Sequence, residues 1–514
     1  LLPTATLSNP QLSLDARSIA THRPPRSYYQ IMDVSGLGLK TKEWGYYDTC
    51  PCNEVDALIN RHALCEQVPD SAAISNMRLL ASSVALQFRR EHPFPQRWDH
   101  ATLMHNTRLK IRGRYDRAYR NLSNGMMYSL GTMSKIQTFI KFEKMPIEKL
   151  EERKPARLIQ HRSYEYLYLM KSVFGPLSEH IKKSEVIINN SGQQLKEIFG
   201  VGLTNQETAN RIHSLFLRHK DCVVLCLDHS KWDGHFNEVL MSNMHDFWDT
   251  VTKNNRSLNK LVKRLLTLQR VNNGRTKGGI RYRTPFARMS GEYTTSIENS
   301  LANYFLLQTT FPNASILVCG DDSLIFLDRK DFEGITESWI KEQMALFGQD
   351  TKVDRIAYTM EEIDFCQCSP IEKEQGSYVM VRKPERLLSR IQYTDYKVNE
   401  QNIKKFRNGL ALCELANCSG IPILQQFCKH IIENNNFSGP SEQAKPLYDM
   451  VNEQRLHLEE VKDLTRVSFE KAFGISVQQQ LDVERRLSTK EDKRFEKYLS
   501  KHHNFMPTQG PRDI

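Results

Sequence analysis

The amino-acid sequence predicts an α+β fold, and three observations predict it. Short unbroken apolar runs, Cys222–Leu227 above all, suit strands buried on both faces. Segments such as Asn76–Glu91, with Met77, Leu80, Val84 and Phe88 at helical spacing, suit amphipathic helices. From about Lys383 to the end the pattern is mostly helical and charged.

The elements follow in chain order. Residues 1 to about 70 read as turns, and Thr21-His22-Arg23-Pro24-Pro25-Arg26 breaks any helix there. Arg108, Lys110, Arg112, Arg114, Arg117 and Arg120 form a basic run, either a solvated helix face or a nucleic-acid surface. Thr138–Phe142 and Arg157–Gln160 suit two short strands around a charged loop, and Ser163–Ile181 suits a helix. Gly274–Arg283 is a glycine-punctuated basic hairpin. Ile316–Phe326 is two short apolar runs flanking Gly320-Asp321-Asp322. Leu464–Phe473 and Leu481–Leu499 suit helices that present a charged face to solvent or to a partner.

Composition narrows the class of partner. The 514 residues carry a net charge of +11. The isoelectric point of about 9.0 points to an anionic partner such as RNA, DNA or a headgroup surface. Eleven cysteines without a Cys-x-x-Cys pair suit buried thiols in a reducing compartment better than a disulfide framework or a metal site. No apolar run approaches the ~18–20 residues that span a bilayer. The chain begins with Leu, so a native N-terminus with any targeting segment is expected further upstream. Neither a phosphate-binding Gly-x4-Gly-Lys-Ser/Thr loop nor a dinucleotide fingerprint, HExxH or GxSxG string occurs.

Two places set carboxylates where folding alone does not require them. Asp228 ends the buried run and Asp233 follows in "LDHSKWDGHF"; Asp321 and Asp322 sit between two apolar runs. A hairpin turn alone needs no second carboxylate beside the first, and like charges repel unless a cation lies between them. If the two strands neighbour each other in one sheet, Asp228 and Asp321 meet at one sheet end. Such hard oxygen donors suit Mg²⁺ or Mn²⁺. Two ions would serve an in-line phosphoryl displacement. The bland alternative is a turn-capping Asp228 and a plain hairpin.

Between these motifs lies "ARMSGEYTTSIENSLANYF". Ser290-Gly291 offers a turn, and a helix from Thr294 places Thr295 and Asn299 on one face. A hydroxyl and an amide so aligned could read a ribose 2′-OH; N-capping and turn chemistry compete with that reading and explain Ser290 and Thr294 well but Asn299 poorly. Upstream, Lys141, Lys144, Lys154, Arg157 and Arg162 interleave with apolar residues. They are either cations for a triphosphate or scattered surface charges.

In this order, the segments resemble the RNA-dependent RNA polymerases of tombusvirus-like and nodavirus-like positive-strand RNA viruses. "LDHSKWDGHF" is similar to the family's first palm motif, "SGEYTTSIEN" to the second and "VCGDDSLIF" to the third. "FIKFEKM…KPARLIQHRSYEY" resembles the fingers segment at the incoming triphosphate, and "FGQDTKVD" the fourth palm motif with Lys352 as its lysine. "DFCQCSP" with "YVMVRKPER" resembles the palm–thumb border. Trp232 and His161 depart from the usual Phe and Pro.

The resemblance implies a right-hand fold. An N-terminal extension and fingers would occupy residues 1–220. A palm with an antiparallel sheet would occupy 221–382, with a fingers insertion near 240–285, and a helical thumb and C-terminal region 383–514. It implies template-directed RNA synthesis by two-metal nucleotidyl transfer, with two Mg²⁺ for which Mn²⁺ can substitute. Asp228 and Asp321 would bind both ions, supported by Asp322. Asp233, Ser290, Thr295 and Asn299 would read the ribose. Lys141, Arg157 and Arg162 would hold the triphosphate, Lys352 would protonate the leaving group, and Arg281, Arg283 and Gly291 would meet RNA.

The implied partners are RNA template and product, NTPs, and viral replication proteins that recruit the chain to host membranes. Its place would be membrane-associated replication complexes in the host cytoplasm. A reverse transcriptase and a catalytically inactive RNA-binding derivative are the alternatives; the Asp233–Asn299 pair opposes the first and the intact carboxylates oppose the second.

Overall fold

The computed structural model describes residues 13–15, 28–62, 69–125, 129–447, 456–487 and 494–503. The break expected at Thr21–Arg26 lies outside them. At its centre is a four-stranded antiparallel sheet, ordered Ser315–Cys319, Asp322–Leu327, Val223–His229, Thr351–Ala357. Alternate residues point to opposite faces, and both faces are covered. Leu225, Leu227, Ile316, Val318 and Ile325 enter the largest core, against the helices Ser71–Glu91, Tyr164–Ile181, Glu238–Thr252 and Thr295–Thr310. Val224, Cys226, Leu317, Leu324 and Phe326 enter a second core with Ala209, Ile212 and Leu215 of the Asn205–Phe216 helix. Burial on both sides explains why these strands read as continuous apolar runs without alternation. Each such Leu or Ile contributes about 1.5–3 kcal/mol on burial.

A second sheet is ordered Ser13–Asp15, Arg281–Pro285, Val271–Thr276, Ile136–Ile140, Leu158–His161. Ile136, Ile140, Leu158 and Tyr282 face a core with Ala57 and Leu58 of the Pro51–His62 helix. The other side is open: Phe139, Arg275, Arg281 and Arg283 are exposed. The Pro51–His62 helix lies in the stretch expected to hold only turns.

The hairpin Cys368–Glu374 and Ser377–Arg382 leads into C-terminal helices, among them Ile403–Cys418, Leu424–Asn434 and Asp463–Phe473. The helix expected over Leu481–Leu499 is two helices, Val477–Arg486 and Arg494–His502, on either side of residues outside the described set. Ile31, Val34 and Leu37 enter this C-terminal core. Tyr29–Gln30 pairs with Tyr393–Thr394, and Trp44–Tyr46 pairs with Lys144–Pro146. Residues 29–46 therefore run from the C-terminal helices to the neighbourhood of the second sheet. Packing does not pause at residue 220 either, since the largest core joins residues from both sides of it. The helix expected from Asn76 begins five residues earlier, at Ser71, and the Tyr164–Ile181 helix starts where the sequence placed it. Asp70 accepts from the N–H groups of Ala72 and Ala73, and the Ser163 hydroxyl accepts from that of Tyr166.

Candidate active site

The sheet register brings the acidic residues together. Asp322 is the direct cross-strand partner of Asp228, and Lys352 is the partner of Asp228 on its other side. Cys319 pairs with Asp322, leaving Gly320 and Asp321 as the turn of the hairpin. Gly320 has φ +68°, a left-handed conformation that glycine adopts without steric cost.

Crowding shows in the carboxyl groups. Burial, then repulsion from Asp321 and Asp354, pushes Asp228 up to about 6, while Lys352 and Lys154 pull it back. Burial, then Asp321 and Asp228, pushes Asp322 up to about 7. Burial raises Asp321 as well, opposed by Arg157 and Lys141. Such a cluster of oxygen donors fits a hard divalent cation, which would remove the repulsion. Among the described residues no three His, Cys, Asp or Glu side chains are grouped so that they could hold a metal ion by themselves. An open set is what Mg²⁺ takes when water and substrate phosphates complete its shell.

Beside the carboxylates stands a polar pair. Asn299 Nδ2 donates to Asp233 Oδ1 at 3.1 Å. Asn299 Oδ1 is buried and has no hydrogen-bond partner, so it can accept from an incoming hydroxyl. Burial, then the charge of Asp321, pushes Asp233 up to about 6. The backbone N–H of Arg288 donates to the Asp233 carbonyl at 2.7 Å, fixing the turn. Replacing Asn299 with Asp sets a second carboxylate against Asp233 and removes the donor. If the pair reads a ribose, as the resemblance implies, Asn299→Asp lowers NTP incorporation and narrows the preference for NTP over dNTP by about 10-fold or more; competition between labelled ATP and dATP measures it.

Several expected residues have other partners. The Ser290 hydroxyl donates to the Leu158 carbonyl at 2.7 Å and accepts from the Gln160 N–H at 3.3 Å. The Thr295 hydroxyl donates to the Met289 carbonyl at 2.8 Å. Both hydroxyls bind backbone and hold the turn before the Asn299 helix. The turn-chemistry alternative therefore accounts for Ser290, while Thr294 stands at the N-cap position without a side-chain cap bond. Gly291 donates to the Gln160 carbonyl at 2.9 Å, and an added Cβ would lie 2.7 Å from that oxygen. Close backbone packing requires a glycine at this position. Arg281 and Arg283 remain exposed on the open sheet face.

Lys141 and Arg157 flank Glu143 at 3.4 and 3.7 Å and stay partly exposed. Arg162, expected beside them at a triphosphate, does not join them: its side chain is 1% exposed. It donates to Glu292 at 2.5 Å, to the Ser134 carbonyl at 2.5 Å and to Asn272 at 2.7 Å, so no phosphate can reach it.

The sequence reading missed four groups. Arg61, on the Pro51–His62 helix, donates to the Pro155 carbonyl at 2.9 Å, and its charge reaches Asp233 and Arg157. Arg288 is buried against Glu298 at 2.5 Å. Asn303 and Ser300 bind Gly320. The i, i+4 spacing from Asn299 could have found Asn303; nothing in the sequence signalled Arg61.

Strand-end carboxylates, the Asp233–Asn299 pair and the charges of Arg157 and Lys141 acting on Asp321 make up one polar site at the end of the central sheet. The model of the viral RNA-dependent RNA polymerase family matches residues 19–494, and the chain belongs to that family. It is 27% identical over 370 residues to the RNA-directed RNA polymerase of Carnation mottle virus, covering 68% of this chain and 46% of that protein. To that of Pothos latent virus (isolate Pigeonpea/India) it is 28% identical over 365 residues, covering 68% and 46%. To that of Tomato bushy stunt virus (strain Cherry) it is 24% identical over 387 residues, covering 69% and 43%. The chain spans about half the length of the curated relatives it matches.

Proposed function

We propose that this chain carries out template-directed RNA synthesis, replicating a viral RNA genome. The observation that supports this most is the meeting of Asp228, Asp321 and Asp322 at one sheet end beside the Asp233–Asn299 pair. In this reading a primer 3′-hydroxyl attacks the α-phosphate of an NTP, the P–O bond to the β-phosphate breaks, and pyrophosphate leaves. Asp228 and Asp321, with Asp322, would hold two Mg²⁺, or Mn²⁺ in their place, supplying charge neutralisation at the phosphates and a more acidic attacking hydroxyl. Arg157 and Lys141 hold the triphosphate, turning from Glu143 to the incoming anion. Asp233 orients Asn299, whose free Oδ1 accepts from the ribose. Lys352, exposed and opposite Asp228, donates a proton to the departing pyrophosphate. Arg281 and Arg283 offer the RNA backbone two cations.

The same reading makes the central sheet a palm, the five-stranded sheet part of the fingers and the C-terminal helices a thumb. Among the described residues no helix is long and apolar enough to cross a membrane. Recruitment by other viral replication proteins to membrane-associated complexes in the host cytoplasm completes the proposal.

The test is labelled NTP incorporation on a short RNA template with Mg²⁺, Mn²⁺ or EDTA, with dNTPs in parallel. Incorporation of NTP that EDTA abolishes is expected. Equal or better use of dNTPs would point to reverse transcription, and RNA binding without incorporation in any metal would overturn catalysis.

A further inference from the structure

The turn that carries Asp321 is held from two directions by the buried side chains of Ser300 and Asn303. Gly320 lies between the two hairpin strands and takes part in none of their pairing. Its N–H donates to Ser300 Oγ at 3.1 Å, and its carbonyl accepts from Asn303 Nδ2 at 2.9 Å. Ser300 and Asn303 are three residues apart on the Thr295–Thr310 helix and thus neighbours on its surface. Both are wholly buried.

Asn303 is itself oriented. Because its amide nitrogen donates to Gly320, the atom it turns to His229 is Oδ1, 2.9 Å from His229 Nε2. An oxygen there requires the hydrogen on Nε2. In a neutral ring Nδ1 is then an acceptor, and it lies 2.7 Å from the Thr351 hydroxyl, which donates to it. His229 and Thr351 are 2% and 1% exposed, so both bonds are shut off from solvent. The chain of bonds runs Thr351 to His229 to Asn303 to Gly320. Thr351 precedes Lys352, His229 follows Asp228, and Gly320 precedes Asp321.

We infer that His229, Asn303 and Ser300 are positioning residues that fix the Gly320 peptide, and with it the placement of Asp321 relative to Asp228 and Lys352. A displaced turn would move a reacting-centre carboxylate by a fraction of a residue length without closing the nucleotide site. Misplacement of about 1 Å can cost ~10²-fold in rate. The inference rests on the polymerase reading for its kinetic part and on hydrogen-bond geometry alone for the rest.

The experiment has two arms on the full chain. In the first, side-chain ¹⁵N NMR of the metal-free protein at pH 7.5 reads the His229 tautomer. A neutral ring protonated on Nε2 is expected, with that signature lost in Asn303→Leu. A ring protonated on Nδ1, or a tautomer unchanged by Asn303→Leu, would overturn the arrangement.

In the second arm, Asn303→Leu and His229→Leu each lower kcat by about 10-fold or more while KM for NTP stays within about twofold. The double variant loses no more than the worse single one. His229→Gln, whose amide can still donate to Asn303, keeps most of kcat, which separates positioning from a general packing defect. An unchanged kcat, a loss confined to KM, or His229→Gln no better than His229→Leu would overturn the positioning role. A parent chain inactive in every metal would count against the polymerase reading alone, and the tautomer would still decide the clamp.

Discussion

Asp321→Asn is expected to lower nucleotide incorporation by about 10³-fold while RNA binding persists. Asn has the shape of Asp but a neutral side chain with one oxygen donor in place of two. The turn itself does not depend on the charge: Gly320 supplies the left-handed backbone, and Ser300 and Asn303 hold its peptide. The lost function is therefore charge at the sheet end where Asp228 and Asp322 pair. Single-turnover incorporation and filter binding of a labelled template, run on the same preparation, check both halves. Incorporation within about tenfold of the parent would remove Asp321 from the metal site.

The same substitution has a stability consequence of the opposite sign. Asp228, Asp233 and Asp322 are pushed up to about 6, 6 and 7 from an ordinary 3.8, by burial first and then by their neighbours' charges. As pH rises from about 4 to 7 the unfolded chain gives up these protons before the folded one does. The metal-free protein therefore loses stability across that window. Asp321 is the leading charge acting on Asp233 and Asp322 after burial. Asp321→Asn should thus unfold at a higher temperature than the parent at pH 8 in EDTA, with a smaller margin at pH 5. Added Mg²⁺ should narrow the margin at pH 8 by stabilising the parent. Thermal melts at the two pH values decide it, and a margin that widens at pH 5 would contradict the crowding of these carboxylates.

How much of this was legible depended on where the signal lay. The central strands announced themselves because burial on both faces leaves no polar position between Val223 and Leu227. Asp228, Asp233, Asp321 and Asn299 stood out because each breaks an apolar context or repeats at helical spacing. The Pro51–His62 helix was hidden by its Pro-Cys-Asn start and a length of 12 residues, too short to show its period against turn-rich flanks. Without it, Arg61 had no element to sit on. Residues 29–46 could not be placed from sequence either, because their partners at 144–146 and 393–394 are far away along the chain. Ser290, Thr295 and Gly291 show a different limit. The sequence located them at the site, but it could not say whether a hydroxyl or a bare Cα faces substrate or backbone.

Arg162 is the sharpest case of that limit, and its replacement gives the second large effect. It lies five positions after Arg157, and both follow the same basic loop, yet their environments are opposite. Arg157 is 53% exposed with Glu143 at 3.7 Å. Arg162 is closed in by Glu292, Asn272 and the Ser134 carbonyl, with its guanidinium 5.2 Å from the centre of the Tyr166 ring. Removing Arg162 would leave Glu292, 1% exposed, facing Arg288 at 3.7 Å, and Arg288 is already held by Glu298 at 2.5 Å. A buried carboxylate left half-paired costs about 3–5 kcal/mol. Arg162→Ala is therefore expected to unfold several degrees lower and at correspondingly lower denaturant. Any fraction that stays folded should bind NTP with little change in KM. Arg157→Ala should leave stability within about 0.5 kcal/mol and lower kcat/KM for NTP by about 10²-fold. Urea melts and NTP titrations on the two variants separate the roles. If Arg162→Ala were stable and weak in NTP binding while Arg157→Ala behaved as the parent, the two arginines would have to exchange places in the mechanism.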